Sequence, residues 1–437
     1  MSQAIKEKSL YREAFEAAGL EGEPAWLASL REEALERFEE AGFPTTAEED
    51  WKYTNVAPVA RAAFLPAEGP AEDLDAESVE RFVYEEARRS RLVFVDGRFR
   101  PEFSALDALP AGVVALDLAE ALRGEHSEAV REKLETPRRA SAFESLNTAF
   151  TAGGAFLFVP AGARAGVPLQ LLFLSARGEA ATFPRVLVLA GRGSVLDIIE
   201  SYAAADDNSY FTDAVVEVTV GEGARVTHCK VQGESERAFH VASTRAGVGR
   251  DAYYDLTTVT LGARLSRHDI EVRLEDEGAE CRVDGLYIVG DGQHADTHSL
   301  IDHPRPRGTS RQNYKGILDG RSRAVFNGRV FVRRDAQQTD AVQSNKNLLL
   351  SAEARVDTKP QLEIFADDVK CAHGATVGQL EEEELFYLLS RGLHPDLARN
   401  LLTYGFAEEI VGKIKFDSIR AQLDGAILNR LHARLEA

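Results

Sequence analysis

Hydrophobic positions change period twice along the chain. From Glu23 to Phe43, Trp26, Leu27, Leu30, Leu35 and Phe38 recur at three- and four-residue spacing between Pro24 and Gly42, which predicts an amphipathic helix. Pro44 breaks it, and Thr45 or Thr46 is placed to cap a further turn ahead of Glu48, Glu49 and Asp50, where Trp51 and Tyr53 read as packing residues. A Pro-, Ala- and Gly-rich linker is expected over 57–71, a helix over 76–90, a strand and glycine turn over 92–99, and short helices near 117–123, 127–134 and 141–150.

At about Gly153 the helical period stops. For the next two hundred or so residues β-branched and aromatic runs alternate with Gly, Asp and Asn punctuation. A turn followed by a strand recurs at Gly193-Ser194-Val195-Leu196, Gly223-Ala224-Arg225-Val226, Gly249-Arg250-Asp251-Ala252 and Gly278-Ala279-Glu280-Cys281, and these glycines are 26 to 30 residues apart. Arg323-Ala324-Val325-Phe326 and Ala354-Arg355-Val356-Asp357 continue the series. That spacing suits coils of a solenoid, and it predicts a right-handed parallel β-helix, with an antiparallel sandwich or double-stranded barrel as the alternative. Solenoid coils bury their faces on one another, so the ends need covers, and helical domains at the two termini are expected to supply them.

After Gly378 the helical period returns. Helices are expected over 381–390 and over 395–404, ending at Gly405. A last helix carries Ile419, Leu423, Ile427, Leu431 and Leu435 at every fourth position, widened by Phe416 and Leu428, a stripe that ordinarily packs on its own domain. The expected organisation is a helical domain over 1–150 with a short strand region, a β-helix over 151–378 and a helical domain over 379–437.

Composition narrows the function. The 437 residues carry 51 Lys and Arg against 71 Asp and Glu, a net charge of −20, which argues against a nucleic-acid or anionic-membrane surface. Three cysteines, Cys229, Cys281 and Cys371, make no disulfide framework and fit a reducing cytosol. Met1 to Leu10 has no hydrophobic signal core and no apolar run approaches the ~20 residues of a membrane span, so a cytoplasmic protein is expected. There is no P-loop: Gly412-Lys413 is followed by Ile, not Ser or Thr. No dinucleotide fingerprint, G-x-S-x-G elbow or H-E-x-x-H is present.

Two stretches remain as candidate chemistry. If the stretch Val369 to His373 is extended, Cys371 and His373 share one face; a thiolate and an imidazole suit zinc or iron, but two ligands do not close a site that needs about four. On spacing alone the same pair reads more readily as a small buried cysteine beside a hydrogen-bonded histidine. Asp367 and Asp368 are adjacent, so in a strand they point to opposite faces, which weakens a glycosidase reading. Upstream, His294, Asp296 and His298 alternate along one strand face and offer a zinc or non-haem iron site, the basis of an alternative reading as a metal-dependent β-solenoid enzyme; a plain polar outer face gives the same pattern. Cys229 and Cys281 each follow a coil start, where small residues pack, and are expected to be buried.

The chain resembles the SufB/SufD family, the scaffold subunits of the SUF iron–sulfur cluster assembly machinery, and is more similar to its SufD members than to its SufB members, which are longer and richer in cysteine. The similarity runs from Glu49-Asp50-Trp51-Lys52-Tyr53-Thr54 through Leu146-Asn147-Thr148-Ala149-Phe150 and Phe158-Val159-Pro160-Ala161-Gly162. It is densest at Tyr314-Lys315-Gly316 and runs on through Ala336-Gln337-Gln338-Thr339-Asp340-Ala341, Asn345-Lys346-Asn347-Leu348-Leu349-Leu350-Ser351 and Pro360-Gln361-Leu362-Glu363-Ile364. It ends in Ala366-Asp367-Asp368-Val369-Lys370-Cys371-Ala372-His373-Gly374-Ala375-Thr376 and the helix around Leu385-Phe386-Tyr387-Leu388.

This resemblance implies a parallel β-helix flanked by helical domains, and a non-catalytic scaffold rather than an enzyme. It implies pairing with a SufB-like subunit, self-pairing when alone, and docking of the ATPase SufC on residues 381–437 through Leu385, Phe386, Tyr387, Leu388, Leu401 and Tyr404. His373, with Cys371, would then face SufB and help to form a transient iron–sulfur cluster. No tightly bound cofactor is expected; the residues carry no indication for or against a flavin.

Overall fold

The computed structural model describes residues 3–18, 23–67, 74–136, 140–151 and 153–433. The glycine-led turns return the chain by one coil each time, so successive strands lie parallel and in register. Two long sheets result. One, sheet A, runs through Val114–Asp117, Gly154–Val159, Arg185–Ala190, Phe211–Val220, Phe239–Val248, Leu265–Leu274, His294–His303, Arg323–Val332 and Arg355–Ile364. The other, sheet B, runs through Arg98–Phe99, Arg91–Val95, Leu169–Ser175, Val195–Ala204, Arg225–Gly233, Tyr253–Thr260, Glu280–Val289, Thr309–Leu318, Thr339–Leu349 and Val369–Gly378. Each coil contributes one strand to each sheet, and eight coils stack into the parallel β-solenoid that the turn spacing predicts.

The core follows from the register. On sheet A, Val188, Val218, Ala246, Val272, Ile301, Val330 and Leu362 occupy successive rungs and project into the interior as one aliphatic column. On sheet B the corresponding column is Leu196, Val226, Tyr254, Cys281, Ser310, Ala341 and Cys371. The last member of each is the least buried, because no further coil lies beyond it.

Both termini are helical, yet the helices lie on the sides of the solenoid and not over its two ends. Tyr11, Phe15, Leu35, Phe38, Trp51, Phe143 and Phe150 pack on Phe183, Phe211, Phe239 and Leu265. Ala407, Ile410, Val411, Ile414, Phe416, Ile419, Leu423 and Ile427 pack on the outer side of sheet B against Cys229, Val231, Val259, Leu286, Ile288 and Ile317. The first coil is covered by short strands: Val114–Asp117 runs antiparallel on Gly154–Val159, and Arg91–Val95 adds in parallel to Leu169–Ser175. At the other end Arg355–Ile364 and Val369–Gly378 close their sheets with no strand beyond them among the described residues. The expectation that a helical domain covers this end is therefore corrected: its apolar stripe is spent on the flank of sheet B.

Several local expectations change as well. The 57–71 linker contains a helix, Ala57–Ala62, with Pro58 in its first turn where a missing N–H costs nothing, and a strand, Leu65–Pro66, paired to Ala180–Thr182; 68–71 lie outside the described residues. The 76–90 helix is reduced to Ala76–Glu80, capped by Asp75, because Tyr84 leaves the helical path to pack under the carboxy-terminal helices. The helix from Pro395 runs through Gly405 to Val411, since Ala407, Ile410 and Val411 gain more by burial than the glycine costs. A helix over Gln3–Ala18, anchored by Tyr11 and Phe15, has too polar a pattern to be read from sequence. The last helix spans Asp417–Ala433, with Ile419, Leu423 and Ile427 buried as expected, while Leu435 lies outside the described residues.

Candidate functional site: the open final coil

The last strand, Val369–Gly378, is extended as expected, and Cys371 and His373 share its inward face. Cys371 stands on Ala341 one rung inward, is half-buried against the solenoid core, and its thiol is pushed up by that burial. His373 stands over Gln343 and is exposed. In the final coil Ile364, Phe365 and Val377 are exposed, Phe365 at 57 % and Val377 at 47 %, apolar side chains on two strands that lack a further neighbour among the described residues; Val342, also exposed, lies one rung back on the outer face of Thr339–Leu349. Asp368 belongs to the turn, where its carbonyl accepts from the Gln338 N–H at 2.6 Å and its own N–H is bound by Gln337 Oε1 at 2.9 Å. Among the described residues no cluster of three or more His, Cys, Asp or Glu side chains can hold a metal ion, so Cys371 and His373 do not by themselves make a metal site.

Behind this edge a polar seam runs beside the aliphatic column of the solenoid interior. Tyr314 lies over Gly285 and Tyr287 over Gly316 on paired rungs; a Cβ on either glycine would come within 2.1 Å of the ring. The Tyr287 hydroxyl donates to Asn347, Thr358 donates to Asn345 at 2.8 Å, and Tyr314 shares a 3.0 Å bond with Thr258. The interior of the earlier coils holds His228 bonded to Glu200 at 2.7 Å and to Tyr254 at 2.9 Å, with Lys230 Nζ 3.8 Å from Glu200. Burial alone would raise the Glu200 carboxyl, but Lys230 and His228 outweigh it and hold it down at about 2. This seam was not singled out from sequence. Its signal is polar residues at every second position, Gln312, Tyr314 and then Gln343, Asn345, Asn347, where an inward face calls for aliphatics.

His294, Asp296 and His298 do come together on the outer side of sheet A, but not as a cradle for a cation. Arg267 donates to Asp296 at 2.8 Å and stacks 3.8 Å over the Trp51 ring, placing a guanidinium where a metal would have to sit. Thr54 donates to Asp296 at 2.5 Å and shares a 2.8 Å bond with His294, and His298 lies 3.2 Å from the same carboxylate. With Arg267 also donating to the Asp50 carbonyl at 2.7 Å, the cluster is the seat of the Glu49–Thr54 segment on the solenoid. The metal-enzyme alternative loses its ligand set to these bonds.

The helical pair after the last strand presents a second surface. The helix Glu382–Ser390 has no buried residue. Phe386 is 72 % exposed, and Tyr387, Leu397 and Leu401 are also exposed, while Leu385 and Leu388 are half-buried. Tyr404 differs from its neighbours: it packs against the carboxy-terminal core and its hydroxyl donates to Asp424 at 2.9 Å. Cys229 and Cys281 are buried as expected, with the Cys229 thiol pushed up to about 12 by burial. No helix among the described residues is long and apolar enough to cross a membrane.

The chain is similar to known proteins along most of its length. A model of the SufBD core domain of the SUF iron–sulfur cluster assembly system matches residues 173–406, and one of the SufBD amino-terminal region matches residues 1–171. An iron–sulfur cluster assembly SufBD-family protein of Synechocystis is 35% identical over 96% of this chain and 93% of its own length. The iron–sulfur cluster assembly protein SufD of Escherichia coli is 31% identical over 95% of each chain, and that of Bacillus subtilis 27% identical over 93% of this chain and 94% of its own.

Proposed function

Because the chain belongs to the SufBD family of iron–sulfur cluster assembly proteins, we propose that it is a SufD-type scaffold subunit whose open final coil pairs with a SufB-like subunit to form the site of the nascent cluster. The observation that carries this reading is the position of His373 and Cys371 on the inward face of an exposed final strand, in a coil that also exposes Ile364, Phe365 and Val377. An incomplete donor set on an unpaired, partly apolar sheet edge is completed by a second protein adding to that edge. The cluster is then cargo, assembled and handed on, and the chain has no catalytic residue of its own.

The exposed face of Phe386, Tyr387, Leu397 and Leu401 supports docking of a SufC-type ATPase, with Leu385 and Leu388 half-buried on the first helix and Tyr404 tying the Pro395–Val411 helix to the Asp417–Ala433 helix through Asp424. This helix follows the last strand after only a short turn. Movement driven by nucleotide in the ATPase would reach the cluster edge through that junction, by contacts that differ between the two states. Without its partner, a second copy of the chain offers the same edge and a homodimer is expected. The buried thiols fit a reducing compartment such as the cytoplasm.

Co-expression with SufB- and SufC-like proteins, followed by purification and measurement of iron and acid-labile sulfide, tests the reading. His373→Ala is expected to leave the complex assembled and to lower iron and sulfide severalfold; an undiminished cluster yield would exclude His373 from the site.

A further inference from the structure

The rungs of sheet B that lead to His373 change character toward the open end. Ile198, His228, Leu256, Val283, Gln312, Gln343 and His373 occupy one inward column, which runs through the aliphatic Leu256 and Val283 and ends amide, amide, imidazole. The two amides are bonded in one direction only. Gln343 Nε2 donates to Gln312 Oε1 at 2.8 Å, and Gln312 Nε2 donates to Ser299 Oγ at 2.9 Å. That order leaves Gln343 Oε1 buried with no partner. The amide is also confined, because a Cβ on Gly328 of the facing strand would lie 2.5 Å from Gln343 Nε2, so the backbone there closes on it. A buried amide oxygen left unpaired costs about 1–3 kcal/mol, which makes it a group in need of a donor.

The next rung outward supplies one. His373 is paired with Gln343 in the parallel register and projects from the same face, about 4.8 Å further along the sheet. Cys371 has no such neighbour, since the residue beneath it is Ala341. While the coil is open, the imidazole is exposed and water can serve both ring nitrogens. Covering the edge removes that water. We infer that Gln343 is a positioning residue: when a partner covers the final coil, one ring N–H of His373 donates to Gln343 Oε1, which fixes the tautomer and turns the other ring nitrogen toward the nascent cluster. The logic is that of a metal-ligating histidine oriented through its second nitrogen. The inference rests on the reading of His373 as a contributor to the cluster site.

The test uses the complex assembled with SufB- and SufC-like partners, loaded with ferrous iron and sulfide, with histidine labelled by ¹⁵N. His373→Ala is measured first: retained cluster yield and retained ¹⁵N hyperfine coupling in the reduced cluster would remove the site reading itself. If both are lost, Gln343→Met, which keeps the volume but not the acceptor, is expected to lower iron and sulfide about tenfold and to weaken the imidazole coupling, with the complex still assembled. Gln343→Glu keeps an acceptor and is expected to retain both signals. Should Gln343→Met fail to fold, Gln343→Asn, too short to reach, carries the same expectation. Wild-type yield and coupling in Gln343→Met or Gln343→Asn, or equal loss in Gln343→Glu, would overturn the role of Gln343 while leaving that of His373 standing.

Discussion

Tyr314 occupies the space that Gly285 leaves empty one rung away: a Cβ on the glycine would come within 2.1 Å of the ring. Tyr287 and Gly316 repeat the exchange with the order reversed. The Tyr314-Lys315-Gly316 stretch therefore alternates a side chain that fills the interior with one that makes room for the neighbouring coil. Gly285→Ala should destabilise the protein by about 3 kcal/mol through overpacking against a buried ring already in contact with the Phe326 ring and bonded to Thr258. Thermal unfolding measures this, and combining it with Tyr314→Leu should recover part of the loss. An unchanged midpoint in the single variant would contradict the packing described.

Arg267 should matter for stability and not for metal binding. Arg267→Met removes the partner of the buried Asp296 carboxylate and is expected to cost about 3–5 kcal/mol, with Asp296→Asn added to it restoring much of that. Because Asp50, Trp51 and Thr54 are seated on the same cluster, proteolysis of the amino-terminal segment should accelerate. Added zinc should leave the unfolding midpoint of the wild-type chain where it is.

Acid should unfold the protein in two stages. Burial lowers His303 from its ordinary value to about 4, with Asp302 opposing, and lowers His240 and His268 as well. The unfolded chain takes up those protons first, so stability present above about pH 6.5 declines as pH falls toward 4. Glu200, held at about 2, contributes on the order of 3 kcal/mol above its ordinary range, and this is lost between about pH 4.5 and 2. Denaturant midpoints measured across pH 3–8 should fall with acid where these groups dominate, against an opposing slope from Asp213 and Asp284, whose carboxyls burial raises; His303→Phe should flatten the profile between about pH 6.5 and 4, and an unchanged profile would contradict the burial of that histidine.

The exposed helix face should separate binding from folding. Phe386→Asp and Leu401→Asp each alter a side chain at least half exposed, so unfolding free energy should shift by no more than about 0.5 kcal/mol. Binding of a SufC-type ATPase, followed by titration calorimetry, should fall at least tenfold. Tyr404→Phe should behave in the opposite manner, loosening the Pro395–Val411 helix from the Asp417–Ala433 helix through loss of the Asp424 bond while leaving most of the binding surface intact.

The solenoid was legible in sequence because its punctuation is local. Gly193, Gly223 and Gly278 adopt positive φ at the coil corners, a conformation that favours glycine whatever surrounds it. Cys371 and His373 were legible as a pair for a similar reason, since two-residue periodicity alone sets them on one face. What closes around them was not. The seat of Trp51 on Arg267 joins segments more than two hundred residues apart, and no local pattern encodes that pairing. The amphipathic stripe of Ile419, Leu423 and Ile427 announced that the last helix is buried, but not against what; sheet B's flank, and not the end of the stack, is where Cys229, Val231 and Ile288 leave matching apolar surface. The Gln312–Gln343 ladder was hidden by the ordinary expectation that alternating polar residues face solvent.

The uncovered final coil also sets a temporal order. In a stack where each coil is held by its neighbours, the one with a single neighbour opens at the lowest free-energy cost, and each coil behind it opens only after the last has gone. Amide protons should therefore exchange as a gradient, fastest in Val369–Gly378 and Arg355–Ile364 and slowest several rungs back, where Val272 and Val283 lie. A protein that adds to the edge would act first on the fast end of that gradient, and its arrival would be recorded as protection spreading inward from His373.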